Sequence, residues 1–109
     1  GDMMRIAENV YISEILKPGR RRLTEWIHQE KQIPRLYCIT LPVWNSVFLE
    51  IYEYNQLLSS FYKEKDITIV GMAAGKQDAL VILRRMVNEL YLENHLEDAK
   101  SYFCEEIKL

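Results

Sequence analysis

Apolar side chains recur along this chain at two spacings, one typical of helices and the other typical of buried strands. Between Lys76 and Asn94 they return every three or four positions, which predicts an amphipathic helix. The positions that carry this pattern are Ala79, Leu80, Leu83, Met86, Val87, Leu90 and Tyr91. Just before them, the run from Ile67 to Val70 is apolar or β-branched, which predicts a strand buried on both faces, as is usual in parallel sheets.

The first part of the chain predicts a strand, a short helix and a second strand. Residues 9–16 are rich in Val, Tyr and Ile and favour a strand, although their spacing also permits a helix. Residues 20–32 show helical amphipathic spacing, and Pro34 limits how far that helix continues. Residues 35–41 form a β-rich run that is closed by Pro42, whose missing N–H suits the end of a strand.

Amphipathic spacing predicts two further helices. One begins at Asn45 or Ser46, whose side chains suit a helix cap, and continues to about Lys63. Its apolar stripe consists of Val47, Ile51, Tyr54, Leu58 and Phe61. The other begins near Leu96, with acidic side chains in its first turn, where the helix dipole favours them. The predicted order of elements is therefore β-α-β-α-β-α-α.

This alternation predicts a small layered α/β domain. Helical crossovers between strands favour a three-stranded, mainly parallel sheet that is covered by helices. A length of 109 residues suits one domain that spans residues 1–109. Gly1 is typical of a residue left by tag removal, and the Asp2 that follows it then suggests a domain excised from a longer chain.

Self-association is the interaction that the sequence predicts. A three-stranded sheet leaves two edges, and one of them can pair with a second subunit. Seven tyrosines among 109 residues also suit a protein interface. We therefore expect a homodimer, and the same features suit a different protein partner.

Composition and charge narrow the class of protein. The chain is 49% hydrophobic and 28% charged, which is the balance of a globular protein. A formal charge of −2 and a pI near 5.7 argue against nucleic acid as a partner. Its apolar stretches fall far short of the roughly 20 residues that cross a bilayer. We therefore expect no membrane association. Cys38 and Cys104 lack CxxC spacing, so we expect free thiols, which indicate a reducing compartment and hence a cytoplasmic location.

A glycine-bounded turn is the first candidate for ligand binding. The segment from Gly71 to Lys76 follows a predicted strand and opens a predicted helix, as a phosphate loop does. Its glycines are one residue too close for that motif, and Gln77 stands where a hydroxyl would reach magnesium. A simpler anion site at Gly75, Lys76 and Gln77 is compatible with the helix start, but a tight turn that packs the helix on the sheet is the favoured interpretation.

A basic cluster is the second candidate. The cluster consists of Lys17, Arg20, Arg21 and Arg22, which stand where a helix begins. This is the unfavourable end of the helix dipole for cations, so an anion or an acidic partner would offset the repulsion. A solvated surface is the simpler interpretation. If all three strands are parallel, Trp44 and Asn45 lie at the same edge of the sheet and complete a site for an anionic ligand with a flat apolar part. The structural interpretation is that Trp44 forms an aromatic lid on the core and that Asn45 caps a helix.

The chain carries no catalytic or metal-binding signature. His28 and His95 stand alone, and neither cysteine has a local feature that would activate it as a nucleophile. No catalytic residue, metal site or cofactor is predicted, and no motif is specific enough to indicate a family. The favoured function is a non-catalytic interaction or regulatory module that self-associates. The alternative is a domain that binds a phosphate-bearing or other anionic ligand at the turn from Gly71 to Lys76.

Overall fold

The structure is a computed structural model that describes residues 4–44 and 48–106. Within these residues the chain forms the strands β1 (Met4–Ile12), β2 (Leu36–Thr40), β3 (Glu50–Glu53) and β4 (Ile67–Ala74). It also forms the α-helices α1 (Arg20–His28), α2 (Lys76–Leu92) and α3 (Ala99–Glu106), and the 3₁₀ helices Lys17–Gly19 and Tyr54–Leu58. Together these elements make a small α/β domain, and none of the described helices is long and apolar enough to cross a bilayer.

The sheet has four strands and mixed direction, which corrects the predicted three-stranded, mainly parallel sheet. Its order is β1-β4-β2-β3; β1 and β4 are parallel, whereas β2 is antiparallel to both β4 and β3. A strand buried on both faces carries the same apolar pattern whichever way its neighbours run. The pattern of β2 and β4 was therefore recognisable in the sequence, but their relative direction was not.

The predicted helix over residues 45–63 is wrong in the part that the structure describes. Residues 50–53 form β3 on the edge of β2, and Tyr54–Leu58 forms a 3₁₀ helix. The same residues also alternate, because Ile51 faces one side of the sheet and Tyr52 the other. Pairing with β2 provides hydrogen-bond partners for the backbone of these residues, which stabilises the strand over the predicted helix. The predicted cap at Asn45 or Ser46 lies outside the described residues.

Both faces of the sheet are covered. On the α1 face, helix α1 and the Tyr54–Leu58 helix pack over Ile67, Ile69 and Met72 of β4. On the α2 face, helices α2 and α3 pack over Val70 and Ala73. The alternation along β4 shifts at Val70, an extra residue between the pairs Thr40–Ile69 and Ile39–Gly71, as in a β-bulge. The central strand is buried along almost its whole length.

Some predicted boundaries of strands and helices differ from those in the structure, and others agree with them. The first strand begins at Met4 and ends at Ile12, earlier than the predicted residues 9–16. Helix α2 ends as predicted: Asn94 has a φ of 63°, and the N–H of His95 donates to the carbonyl of Leu90 at 2.7 Å. This arrangement is a Schellman C-cap, which explains why the apolar pattern stops there.

Candidate functional site

The mixed sheet divides the predicted site residues between two ends of the molecule. Ile12 pairs with Met72 in the parallel ladder, so the segments that follow β1 and β4 leave the same end of the sheet. Strand β2 runs the other way, and the N–H of Leu41 bonds the carbonyl of Thr68 near the start of β4. Trp44 therefore lies at the opposite end from Arg20 and Lys76, and Asn45 lies outside the described residues.

Gly71 does not belong to a turn. It lies buried inside β4, where an added Cβ would come within 3.1 Å of Ile39 and 3.3 Å of the Met86 sulfur. The missing side chain lets β2 and α2 approach the bulged strand closely. The glycine-bounded turn expected between Gly71 and Gly75 is thus a strand, and only Gly75, with a φ of 101°, supplies the turn into α2.

The start of α2 already has a carboxylate of its own. Lys76 and Gln77 are exposed, but the side chain of Asp78 accepts a hydrogen bond from the Ala74 N–H at 2.9 Å. A carboxylate in the first turn satisfies the positive end of the helix dipole that an external anion would otherwise use. Anion binding by Gly75, Lys76 and Gln77 stays a prediction, and this contact gives it no support.

The three arginines at the start of α1 have different surroundings, although all are exposed. The guanidinium of Arg20 reaches back across the edge of the sheet and donates to the carbonyl of Glu8 at 3.4 Å. Arg22 lies over the ring of Trp26, 6.0 Å from its centre. Among the described residues, Arg21 has neither kind of contact. Arg20 therefore differs from its two neighbours, because it also lines a groove beside β1.

Trp44 belongs to an aromatic cluster with Phe61 and Tyr62, with ring centres 5.7 and 6.3 Å from that of the indole. The ammonium group of Lys65 lies 4.3 Å from the centre of the Trp44 ring. The backbone N–H of Trp44 donates to a carboxylate oxygen of Glu50 at 3.3 Å. These contacts support the interpretation of Trp44 as a lid on the core at the end of β2.

A groove beside β1 contains chemistry that sequence analysis missed. The phenol of Tyr11 donates to Oε1 of Glu89 at 2.7 Å, and the guanidinium of Arg85 lies 5.4 Å from the centre of the Tyr11 ring. Burial, reinforced by the hydrogen bond to Glu89, raises the pKa of Tyr11 well above its usual range. Tyr11 therefore stays protonated and keeps Glu89 as its acceptor. No sequence spacing links β1 to α2, so this contact could not have been predicted.

The outer side of α2 carries an apolar groove, lined in part by residues of the apolar pattern that predicted this helix. Leu80 and Tyr91 are exposed, at 39% and 66%, while Ala79, Met86 and Leu90 are buried. The groove has a volume of about 630 Å³ and is closed on one side by Leu96. The signal was present in the sequence, because the apolar positions of α2 span more of the helix circumference than one buried face needs.

The described residues contain no group of three His, Cys, Asp or Glu side chains that could hold a metal ion. Cys38 is a free thiol, fully buried in β2, and burial raises its pKa well above the usual range, so it is unsuited to act as a nucleophile. The side chain of Cys104 lies outside the described part of the structure. His95 stacks on Tyr102 with ring centres 4.3 Å apart and lies 3.2 Å from Asp98.

Comparison of the chain with protein-family models, with curated proteins and with solved structures found no match. The features of the molecule that indicate a function are the α2 groove and the groove beside β1.

Proposed function

We propose that the protein is a non-catalytic interaction module that self-associates through the outer face of α2. The observation that carries this proposal is the apolar groove between α2 and Leu96. Exposed apolar surface of this kind, rimmed by polar side chains, is characteristic of protein interfaces. Tyr91, at 66% exposed, supplies the aromatic side chain that such interfaces favour.

The spacing of the groove residues suits a symmetric pair of antiparallel α2 helices. Leu80 and Tyr91 stand eleven positions apart, about three helical turns, and Arg84 and Val87 lie between them about the same midpoint. A two-fold axis at that midpoint sets Leu80 of one copy against Tyr91 of the other. It also sets Arg84 against Val87 of the other copy. One patch can thus meet its own copy, as a two-fold dimer requires.

Charge along α2 favours the same antiparallel arrangement. Lys76 is exposed at the N-terminal end of the helix, and Glu93 and Glu97 are exposed at or just beyond the C-terminal end. Antiparallel pairing brings the cation of one copy toward the carboxylates of the other, at both ends of the interface. It also sets the positive end of each helix dipole beside the negative end of its partner.

The two edges of the sheet, which the sequence suggested as the dimer contact, support self-association less well. Arg20 already donates to the carbonyl of Glu8 on the outer edge of β1, and that strand is bulged between Ile6 and Tyr11. On the other edge, β3 has only four residues. Short or bulged edges resist pairing with another chain. The α2 groove is therefore the surface on which the proposal rests.

The first test is the mass of the protein in solution across a range of concentrations. Sedimentation equilibrium should show a reversible shift from one 13.0 kDa chain toward twice that mass. Val87→Lys places a cation against Arg84 of the second copy and should weaken dimerisation at least about tenfold. Val87→Glu places a carboxylate against the same guanidinium and should leave the dimer intact. Combining Val87→Lys with Arg84→Glu should restore it.

Val81→Lys is the matched control, because Val81 is 60% exposed on α2 but does not line the groove. It introduces the same charge in the same helix and should not affect dimerisation. A wild-type protein that stays at 13.0 kDa up to millimolar concentration would reject self-association. A dimer that loses affinity equally with Val81→Lys and Val87→Lys would reject the α2 groove as the interface.

A further inference from the structure

A groove of about 470 Å³ lies beside the edge strand β1, on the side of the molecule away from Trp44. Its lining includes Asn9, Tyr11, Lys17, Arg20, Arg85 and Tyr102. Three of these side chains carry a positive charge: Lys17 and Arg20 lie just before and at the start of α1, and Arg85 belongs to α2. A volume of this size accommodates a small-molecule ligand rather than a single ion.

The two guanidinium groups keep much of their hydrogen-bonding capacity for a ligand. Arg20 has one long contact, to the neutral carbonyl of Glu8 at 3.4 Å, and no ion pair within residues 4–44 and 48–106. Arg85 has an ion pair with Glu89 that is long, at 3.9 Å from Nε to Oε2. Each guanidinium carries five N–H donors in a planar fork that fits phosphate and carboxylate groups.

Two of the acidic groups near this groove, Glu89 and Glu14, already have partners. Glu89 accepts the 2.7 Å hydrogen bond from Tyr11 in addition to its contact with Arg85. Lys17 pairs with Glu14 at 2.8 Å, and both side chains are exposed. Lys17 is thus largely neutralised, whereas Arg20 is not. The uncompensated positive charge of the groove comes from its guanidinium groups, above all from that of Arg20.

Asn9 gives independent evidence for a ligand. Both its amide nitrogen and its amide oxygen are buried, and neither has a hydrogen-bond partner among the described residues. A buried amide without a partner is unfavourable, so such a group in a folded protein calls for an explanation. Asn9 lies in the β1 bulge between Ile6 and Tyr11, and bulges often occur beside functional sites. A ligand oxygen would satisfy the amide N–H.

We propose that this groove binds a small molecule through an oxyanion group, either a phosphate or a carboxylate. Arg20 and Arg85 donate to the oxyanion, and Nδ2 of Asn9 donates a further hydrogen bond. The ring of Tyr102, held by its stack on His95, forms a wall for the less polar part of the ligand. The proposal does not depend on self-association, because the groove and the outer face of α2 share no lining residue.

The test is titration of the protein with inorganic phosphate, pyrophosphate and acetate, followed by backbone amide NMR shifts and calorimetry. We expect saturable shifts centred on residues 8–12 and on Arg85. A preference for pyrophosphate or phosphate over acetate identifies the group as phosphate, and the reverse identifies a carboxylate. Arg20→Gln and Arg85→Gln should each weaken binding about tenfold or more. Arg21→Gln is the matched control and should leave the affinity unchanged.

Asn9→Leu separates a binding role from a structural one. It removes a buried amide without a partner, so thermal stability should be unchanged or higher while affinity for the anion falls. Lower affinity with undiminished stability supports the site. Unchanged affinity in Asn9→Leu, or the absence of saturable shifts with all three anions at millimolar concentration, overturns it. Loss of binding in Lys76→Gln but not in Arg20→Gln also overturns it, because the anion would then bind at the start of α2.

Discussion

Both faces of the sheet are covered, but by different kinds of structure. On the α2 face, a 17-residue helix lays Ala79, Ile82, Met86 and Leu90 across the strands at regular spacing. On the α1 face, which we call the irregular face, one short helix is joined by residues 52–62, which comprise the end of β3, the Tyr54–Leu58 helix and a turn, and which insert large side chains into the core. Those side chains are Tyr52, Tyr54, Leu57 and Tyr62.

This difference shows that regular helical packing is only one way to close a sheet. A helix covers a sheet through many similar contacts, whereas one aromatic side chain buries about 150–250 Å² from a single position. The irregular face depends on a few residues, and each tyrosine among them brings a hydroxyl that must be accommodated. Tyr54 illustrates this point, because it is fully buried and its hydroxyl has no partner among the described residues.

The largest expected effect comes from truncating one large side chain on each face. Tyr54→Ala should lower the free energy of unfolding by about 3–5 kcal/mol, and Met86→Ala by about 2–5 kcal/mol. Tyr54→Phe keeps the ring and removes the unpaired hydroxyl, so stability should be unchanged or higher. Urea unfolding measures all three changes. A loss below about 1 kcal/mol for Tyr54→Ala would show that the irregular face is loosely packed.

Gly71 tests how closely the regular face is packed. Gly71→Ala puts a methyl group against Ile39 and Met86, at 3.1 and 3.3 Å, and should destabilise the protein by about 1–3 kcal/mol. Gly19→Ala is the matched control, since nothing lies within 4 Å of its added Cβ. Its effect should stay within about 1 kcal/mol of zero. Equal midpoints of urea unfolding for the two variants would contradict close packing at Gly71.

Alkaline pH should reveal the buried phenol of the irregular face. Burial raises the pKa of Tyr54 to about 12, whereas tyrosine in the unfolded chain ionises near pH 10. The buried phenol therefore makes its full contribution to the free energy of unfolding below about pH 10, and this contribution is lost as the pH rises toward 12. For Tyr54 the loss should be about 1 kcal/mol at pH 11. Urea unfolding at pH 8 and pH 11 should show a smaller loss in Tyr54→Phe than in the wild type; equal losses would refute this assignment.

The smallest effect concerns the aromatic cluster at the end of β2. Lys65→Met removes the ammonium group that lies 4.3 Å from the centre of the Trp44 ring and should cost about 0.5–1 kcal/mol. Lys63→Met, at a neighbouring exposed lysine, is the control and should have no measurable effect. A shift in tryptophan fluorescence should accompany the first substitution only. Identical stabilities for the two variants would show that the contact between Lys65 and Trp44 does not stabilise the protein.

Elements with one dominant pattern could be predicted from the sequence, while the residues of a site that spans several elements could not. Helix α2 was located correctly because its apolar spacing admits only one regular structure. Residues 50–58 satisfied both a helical stripe and an alternation, and pairing with β2 decided between them. Among the predicted site residues, Arg20 lines a groove, but two other residues that line it, Asn9 and Arg85, belong to different elements, β1 and α2.

The amino-acid sequence by itself determined the α/β class, the helices that flank the sheet and the buried character of the central strand, because these follow from local spacing and propensity. Only the tertiary structure decided the direction of β2, the burial of Gly71 inside a strand and the position of Trp44. Strand direction depends on which backbone groups pair across the sheet. Apolar spacing along one strand carries no record of that pairing.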